Sequence, residues 1–292
     1  MNRKLVFAAM VLVGVGGAMT SFAAPKAPPP PPVAAEPASV GSLAPLLEGF
    51  KWGSNHAEII KIHNQVGGVF DKDYDPILAK LQPGARMQAT EAERDSKKSA
   101  FAASWIEFKD TPTGFDRTAI KDEYTYRNKE AVMYVDRAGR RRYFFFINDR
   151  LWKIYDEVAL PAPAGPPSSA LGGAKTFVEA VTKLAADLGA PGRILAADPE
   201  KGRPHTVVDW QDASTHLRVV DRTGEPLPVV GLVLEDRATL GNIATLRANK
   251  SDDPLAMDPA IAQATRGEGR VDPNAPRDAG APPPKNNPKN KK

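Results

Sequence analysis

Several clusters of residues have the types that chemistry needs. Asp209, Asp212, Ser214 and His216 crowd one predicted hairpin and could form a hydrolytic set. Alternation along a strand would send Asp212, Ser214 and His216 to one face only without a bulge. No Gly-x-Ser-x-Gly turn is present to raise a serine nucleophile. Asp156 and Glu157 could serve glycan hydrolysis as a pair, but neighbours on a strand point to opposite faces. Asp71, Asp73 and Asp75 open like a calcium loop, yet its sixth and twelfth positions hold Pro76 and Gln82 instead of Gly and Glu. His56 and His63 stand two helical turns apart, ~10 Å along the axis, too far to share one zinc. Gly172, Gly173 and Lys175 imitate a phosphate loop, but Ala174 and Ser169 stand where glycines are required. No metal, cofactor or catalytic residue is therefore expected.

The elements around these residues read as α+β. Asn55 with Glu58 makes a capping box before Ile59, Ile60 and Ile62. Asp75-Pro76 predicts the start of a second helix, and Thr90 with Glu93 that of a third running to about Trp105 or Phe108. Strands are predicted at 123–127, 131–136, 141–147 and 151–155, with turns at Ala138-Gly139 and Asn148-Asp149. A second series follows: a helix with Phe177, Val181 and Leu184 on one face, stopped by Gly189 and Pro191. Strands at 206–210, 215–220 and 229–235 come next, then a short helix at 238–246. Both halves thus read helix first, then an antiparallel meander, with the helices packing on the sheet.

The meander 141–155 carries aromatics on both faces. One face must pack on helices. The other is either covered by the second half or a loop, or offers Tyr143, Phe145, Trp152 and Tyr155 as a binding surface for a peptide, glycan or protein.

The chain ends set the compartment expected. Arg3 and Lys4 precede an apolar run at 5–19, shorter than the ~20 residues of a membrane-spanning helix. Ser21 and Ala23 suit signal-peptidase cleavage after Ala23; cleavage after Ala24 would put Phe22 and Pro25 at unfavourable positions. The predicted organisation is a signal peptide at 1–23, a Pro-rich linker at 24–42, a first half at 43–160, a linker at 161–173, a second half at 174–250 and a disordered Lys/Pro-rich tail at 251–292. The mature chain would be extracytoplasmic, periplasmic or secreted, with no transmembrane segment. The absence of Cys removes disulfides and thiolate chemistry. Net charge falls from +4 to +2 once Arg3 and Lys4 are removed, and much of the excess lies in the tail at Lys285, Lys289, Lys291 and Lys292. Nucleic-acid binding has little compositional support.

Two segments carry a resemblance. Gly49-Phe50-Lys51-Trp52-Gly53-Ser54-Asn55-His56-Ala57-Glu58-Ile59 resembles the opening G-x-x-W-G motif of small bacterial envelope proteins. Phe146-Ile147-Asn148-Asp149-Arg150-Leu151-Trp152-Lys153-Ile154 resembles their F-x-D-G-x-L-x-x-I hairpin, with Arg150 in place of the usual Gly. These are similar to outer-membrane-assembly lipoproteins of the SmpA/OmlA type and to β-lactamase-inhibitor-like domains, and the whole resembles secreted proteins of the myxobacterial kind. The resemblance implies helices on an antiparallel sheet and a noncatalytic envelope role with a binding or scaffolding task. An extracytoplasmic hydrolase with a non-local site, or a surface tether using the basic tail, is the alternative.

Overall fold

A computed structural model describes residues 36–137, 139–162 and 171–249. The expected signal peptide with its expected cleavage site at Ala23 or Ala24, most of the expected Pro-rich linker and the tail from 250 lie outside the described residues. Among these residues no helix is long and apolar enough to cross a membrane.

The architecture is α+β, built on a mostly antiparallel sheet of nine strands. These are β1 (Ala38–Ser39), β2 (Ile106–Glu107), β3 (Glu130–Arg137), β4 (Arg140–Ile147), β5 (Arg150–Ala159), β6 (Arg193–Leu195), β7 (Val207–Gln211), β8 (Thr215–Arg222) and β9 (Val229–Asp236). Their order is β1-β7-β8-β9-β5-β4-β3-β2, with β6 also paired to β7. The two predicted meanders therefore fuse, because β5 pairs β9 from Lys153↔Glu235 to Ala159↔Val229. The helices are α1 (His56–Asn64), α2 (Val69–Leu78), α3 (Ala85–Ala102), α4 (Phe177–Leu188), α5 (Arg237–Gly241) and α6 (Ile243–Leu246).

Local chemistry explains most of the boundaries. The capping box of α1 forms in full: the Asn55 side chain accepts from Glu58 N–H, and the Glu58 carboxylate accepts from Asn55 N–H. Thr176 caps α4 by accepting from Glu179 N–H, and Gly189 ends it with φ 72. Asn148 and Asp149 both have positive φ, 50 and 55, as the tightest twisted hairpins require.

Three expectations are corrected. Residues 71–75 lie inside α2 rather than in a loop, because the helix starts at Gly68, whose close backbone contacts exclude a side chain. A Cβ there would stand 2.7 Å from the carbonyl oxygens of His63 and Gln65 and 2.8 Å from that of Ile62. Gly68→Ala is therefore expected to cost about 2 kcal/mol, read as a shifted denaturation midpoint; an unchanged midpoint would refute the close packing. The helix α3 begins at Ala85, so Thr90 is interior and its hydroxyl donates to the Arg86 carbonyl. Residues 123–127 form a 3₁₀ turn and loop instead of a strand: Arg127 and Lys129 have positive φ, and the Tyr124 and Tyr126 hydroxyls both turn to Asp116.

Two cores result, one on each face of the sheet. One holds Phe50, Ile59, Phe70, Phe101, Phe144, Leu184 and Trp210 beneath α1–α4. The other holds Phe108, Ile120, Tyr124 and Tyr126 against the opposite face, with Ile243 and Leu246 packed beside them. Each fully buried Phe or Leu contributes about 1.5–3 kcal/mol.

Candidate functional site

The second core decides the fate of the aromatic surface. Tyr143, Phe145, Trp152 and Tyr155 are all 2% exposed or less. Segment 108–126 and α6 cover them, because an open sheet face this aromatic would leave a large apolar patch in water. The expected binding surface at these four residues is thus corrected to packed interior.

The hydrolytic set on the β7–β8 hairpin separates into two structural groups. Asp212 accepts the backbone N–H groups of Leu43, Ser214 and Thr215 at 2.6–2.8 Å, tying the N-terminal stretch to the turn. Those donors hold its carboxyl low despite burial. Ser214 Oγ bonds Asp212 and Thr215, and His216 faces elsewhere.

His216 belongs to a ladder of charges that the sheet register dictates. Arg193 lies opposite Asp209, Asp209 opposite Arg218, His216 opposite Glu235, and Glu235 opposite Lys153, so all share one face. Arg193 meets Asp209 at 2.5 Å; Asp209 meets His216 Nε2 at 3.2 Å; His216 Nδ1 meets Glu235 at 3.1 Å. Glu235 continues to Arg218 at 2.9 Å and Lys153 at 3.4 Å, and both cations reach Glu123 at 3.0 and 2.6 Å. Burial alone would neutralise these carboxylates. Arg218 and Lys153 overcome it, holding Glu123 down at about 2 and Glu235 well below the usual carboxylate range. For His216 burial is likewise opposed, and the hydrogen bonds to Asp209 and Glu235 hold its pKa above the ordinary value. Both ring nitrogens face carboxylates, so the imidazolium suits the geometry. Every carboxylate here is engaged by cations on two sides or more, which is the arrangement of a structural ion-pair ladder.

The remaining candidates are also bound into the fold. Asp71 pairs with Lys98 at 2.5 Å and Asp73 with Arg137 at 2.5 Å. Asp156 is fully buried between Arg140 and Arg142, and Glu157 on the opposite face accepts from the Tyr143 hydroxyl, as alternation requires. Buried His63 stacks among Phe50, Phe101 and Phe144, its Nδ1 on the Ile59 carbonyl. Among the described residues no three His, Asp or Glu side chains are grouped to hold a metal ion.

The two motif segments meet. Gly53 N–H donates to Leu151 O and Leu151 N–H to Ser54 O, both at 2.8 Å, while His56 Nδ1 lies 2.8 Å from Asp149 and its ring packs on Trp105. Trp52 Nε1–H donates to Thr215, so this corner also grips the second meander.

Open space lies elsewhere. A groove of about 930 Å³ runs between α2–α3 and the ends of β3, β4, β5 and β9. Phe70, Tyr74 and Ile77 form one bank, Leu227 and Val229 the other, and Arg137 and Arg141 stand at the hairpin end. Two of the five exposed large apolar side chains among the described residues, Ile77 at 50% and Leu227 at 78%, stand on opposite banks. A second pocket of about 390 Å³ lies beside Trp105, Phe108 and Ala131. The groove escaped sequence reading because its banks are about 150 residues apart in the chain; only the isolated Leu227 in a polar turn hinted at it.

Compared with protein-family models, curated proteins and solved structures, this chain finds no match.

Proposed function

We propose that the chain works outside the cytoplasm as a noncatalytic envelope protein that binds or scaffolds a partner in the groove between α2–α3 and the sheet ends. The observation that carries this reading is that Ile77 and Leu227, aliphatic and solvent-facing, both line one open amphipathic groove. Aliphatic anchors favour a protein or peptide partner over a glycan, whose flat sugar faces pack on aromatic rings. The acids and histidine that would serve a hydrolase are instead paired with cations or backbone donors. Export rests on the leader 1–23 and its expected cut after Ala23.

The test is capture from envelope extract by the processed chain, compared with Ile77→Asp/Leu227→Asp. Both positions are exposed, so the fold should persist. The wild-type chain is expected to retain a partner that the double variant loses by tenfold or more. Equal capture by the two would remove the groove from the account.

A further inference from the structure

The pocket of about 390 Å³ beside Trp105 combines an aromatic wall with a rim of hydrogen-bonding side chains. Small-ligand pockets span about 300–1,000 Å³, so it has the size of one. Phe108 and Ala131 are buried in its inner wall. Trp105 is half-buried: His56 and Phe146 pack on the ring, and its remaining surface lines the pocket. Trp105 Nε1–H donates to Glu107 Oε1 at 3.2 Å, which fixes the indole. A ring so fixed is a platform for the C–H face of a sugar.

The rim carries groups that bond hydroxyls. Asp110 meets Arg127 through Oδ1, and Asp149 meets the His56 N–H and ring through Oδ1. Oδ2 of each has no partner among the described residues and remains an acceptor. The exposed Asn148 amide adds donors and an acceptor, and Lys129 adds an ammonium with no carboxylate in ion-pair distance among the described residues. Charge then decides the class of ligand. Glu107, Asp110, Glu130 and Asp149 are balanced by Lys109, Arg127, Lys129 and Arg247, before His56 is counted. A balanced rim gives an ion no advantage, while a neutral polyol uses both its donors and its acceptors. Lys109 and the Trp105 N–H hold the Glu107 carboxyl below its usual range, so it accepts hydrogen bonds and does not deliver the proton that glycoside cleavage requires.

The walls are preformed. Phe108 N–H donates to the Glu130 carbonyl at 2.9 Å, Arg127 N–H to the Phe108 carbonyl at 3.0 Å and Asn148 N–H to the Lys129 carbonyl at 3.0 Å. Of the five non-glycine residues with positive φ among the described residues, four line this pocket: Arg127 at 62, Lys129 at 55, Asn148 at 50 and Asp149 at 55. The last two make the hairpin turn. Arg127 and Lys129 are held by buried Asn128 between them, whose amide donates to the Thr125 hydroxyl and the Tyr126 carbonyl. Backbone conformations held against a cost of this kind gather at binding sites.

We infer that this pocket binds a neutral saccharide, with one sugar ring stacked on Trp105 and its hydroxyls bonded to Asp110, Asp149, Asn148 and Lys129. It is a second site, separate from the groove between α2–α3 and the sheet ends, and the two together let the chain hold a glycan and a protein partner at once.

The experiment titrates the processed full chain with neutral trisaccharides built from glucose, mannose, galactose or N-acetylglucosamine, each to about 10 mM, ten times a millimolar Kd. The NMR resonances of the Trp105 indole N–H and the Lys129 amide are followed. At least one sugar is expected to shift both to saturation. Trp105→Ala should weaken that sugar about tenfold or more, read at Lys129. Trp105 also packs on Phe146, so a second variant leaves the core alone: Asn148→Gly removes an exposed amide at a φ of 50 that glycine accepts, and should weaken binding severalfold. Ile77→Asp/Leu227→Asp should bind the sugar as the wild type does. No saturable shift with any of the sugars overturns the inference, as does a shift whose affinity neither Trp105→Ala nor Asn148→Gly changes. Saturation by short neutral peptides in place of the sugars also overturns it, and loss of sugar binding in the Ile77/Leu227 variant overturns the separation of the two sites.

Discussion

Glu235→Ala is expected to lower folding stability by about 3–5 kcal/mol, the range for removing one partner from a buried ion pair. Glu235 is 3% exposed and is the junction of the ladder, meeting His216, Arg218 and Lys153. Its loss strands Lys153, itself 3% exposed, on Glu123 alone, and leaves His216 with one carboxylate instead of two. A charge left unpaired in that setting must either neutralise or draw water into the sheet face. Asp110→Ala breaks an exposed pair with Arg127 and should change stability by less than about 1 kcal/mol. Urea denaturation of the two variants provides the comparison, and equal losses would mean that the ladder is not the buried network described.

The second large effect is a loss of stability on mild acidification. Burial lowers the pKa of His63 to about 4 from an ordinary 6.5, with Arg142 and Arg137 adding to the effect against the pull of the Ile59 carbonyl. Between these values the unfolded chain binds a proton that the folded chain refuses, so stability rises with pH across the window. Moving from pH 7 to pH 4 should therefore cost about 3 kcal/mol. His63→Phe keeps a ring among Phe50, Phe101 and Phe144 and should flatten that window. The depressed carboxylates Glu123 and Glu235 act lower, losing their contribution as pH falls below the ordinary carboxylate value. His216 works in the opposite sense: its contribution is complete below 6.5 and fades as pH rises through its elevated pKa. Denaturation midpoints measured from pH 2 to 9 separate the three, and a wild-type curve flat from 6.5 to 4 would refute the account of His63.

How much of this was legible in the sequence depends on how local the determining physics is. The cap at Asn55, the stop at Gly189 and the turn at Asn148-Asp149 are written in adjacent residues, and those elements stand where expected. The start of α2 was hidden because Asp-rich spacing and Pro76 imitate a loop and a helix start, whereas the real start is set by the crowding around Gly68. Tyr124 and Tyr126 alternate like a strand, yet their hydroxyls converge on Asp116 and pull the segment over the sheet as a lid on the second core. That cover is what turns Tyr143 and Tyr155 from surface into interior.

The ladder left a fainter trace. Lys153 within 151–155 and Asp209 within 206–210 are charges inside apolar strand runs, and a buried charge must find a partner. Which partner depends on register across β5, β7, β8 and β9, and register between distant strands cannot be read from either strand alone. The same holds for the groove, whose two banks meet only after the meanders have fused.

The noncatalytic reading is tested most directly by looking for products. Processed wild-type chain, His216→Gln and His56→Ala are each incubated with envelope material, and the released peptides and glycan fragments are compared by mass spectrometry. The histidines are taken to hold the fold together through Asp209, Glu235 and Asp149, so the same products, at the level of a blank, are expected from all three. Fragments that appear with the wild-type chain and vanish with either folded variant would contradict the account and make the protein a hydrolase.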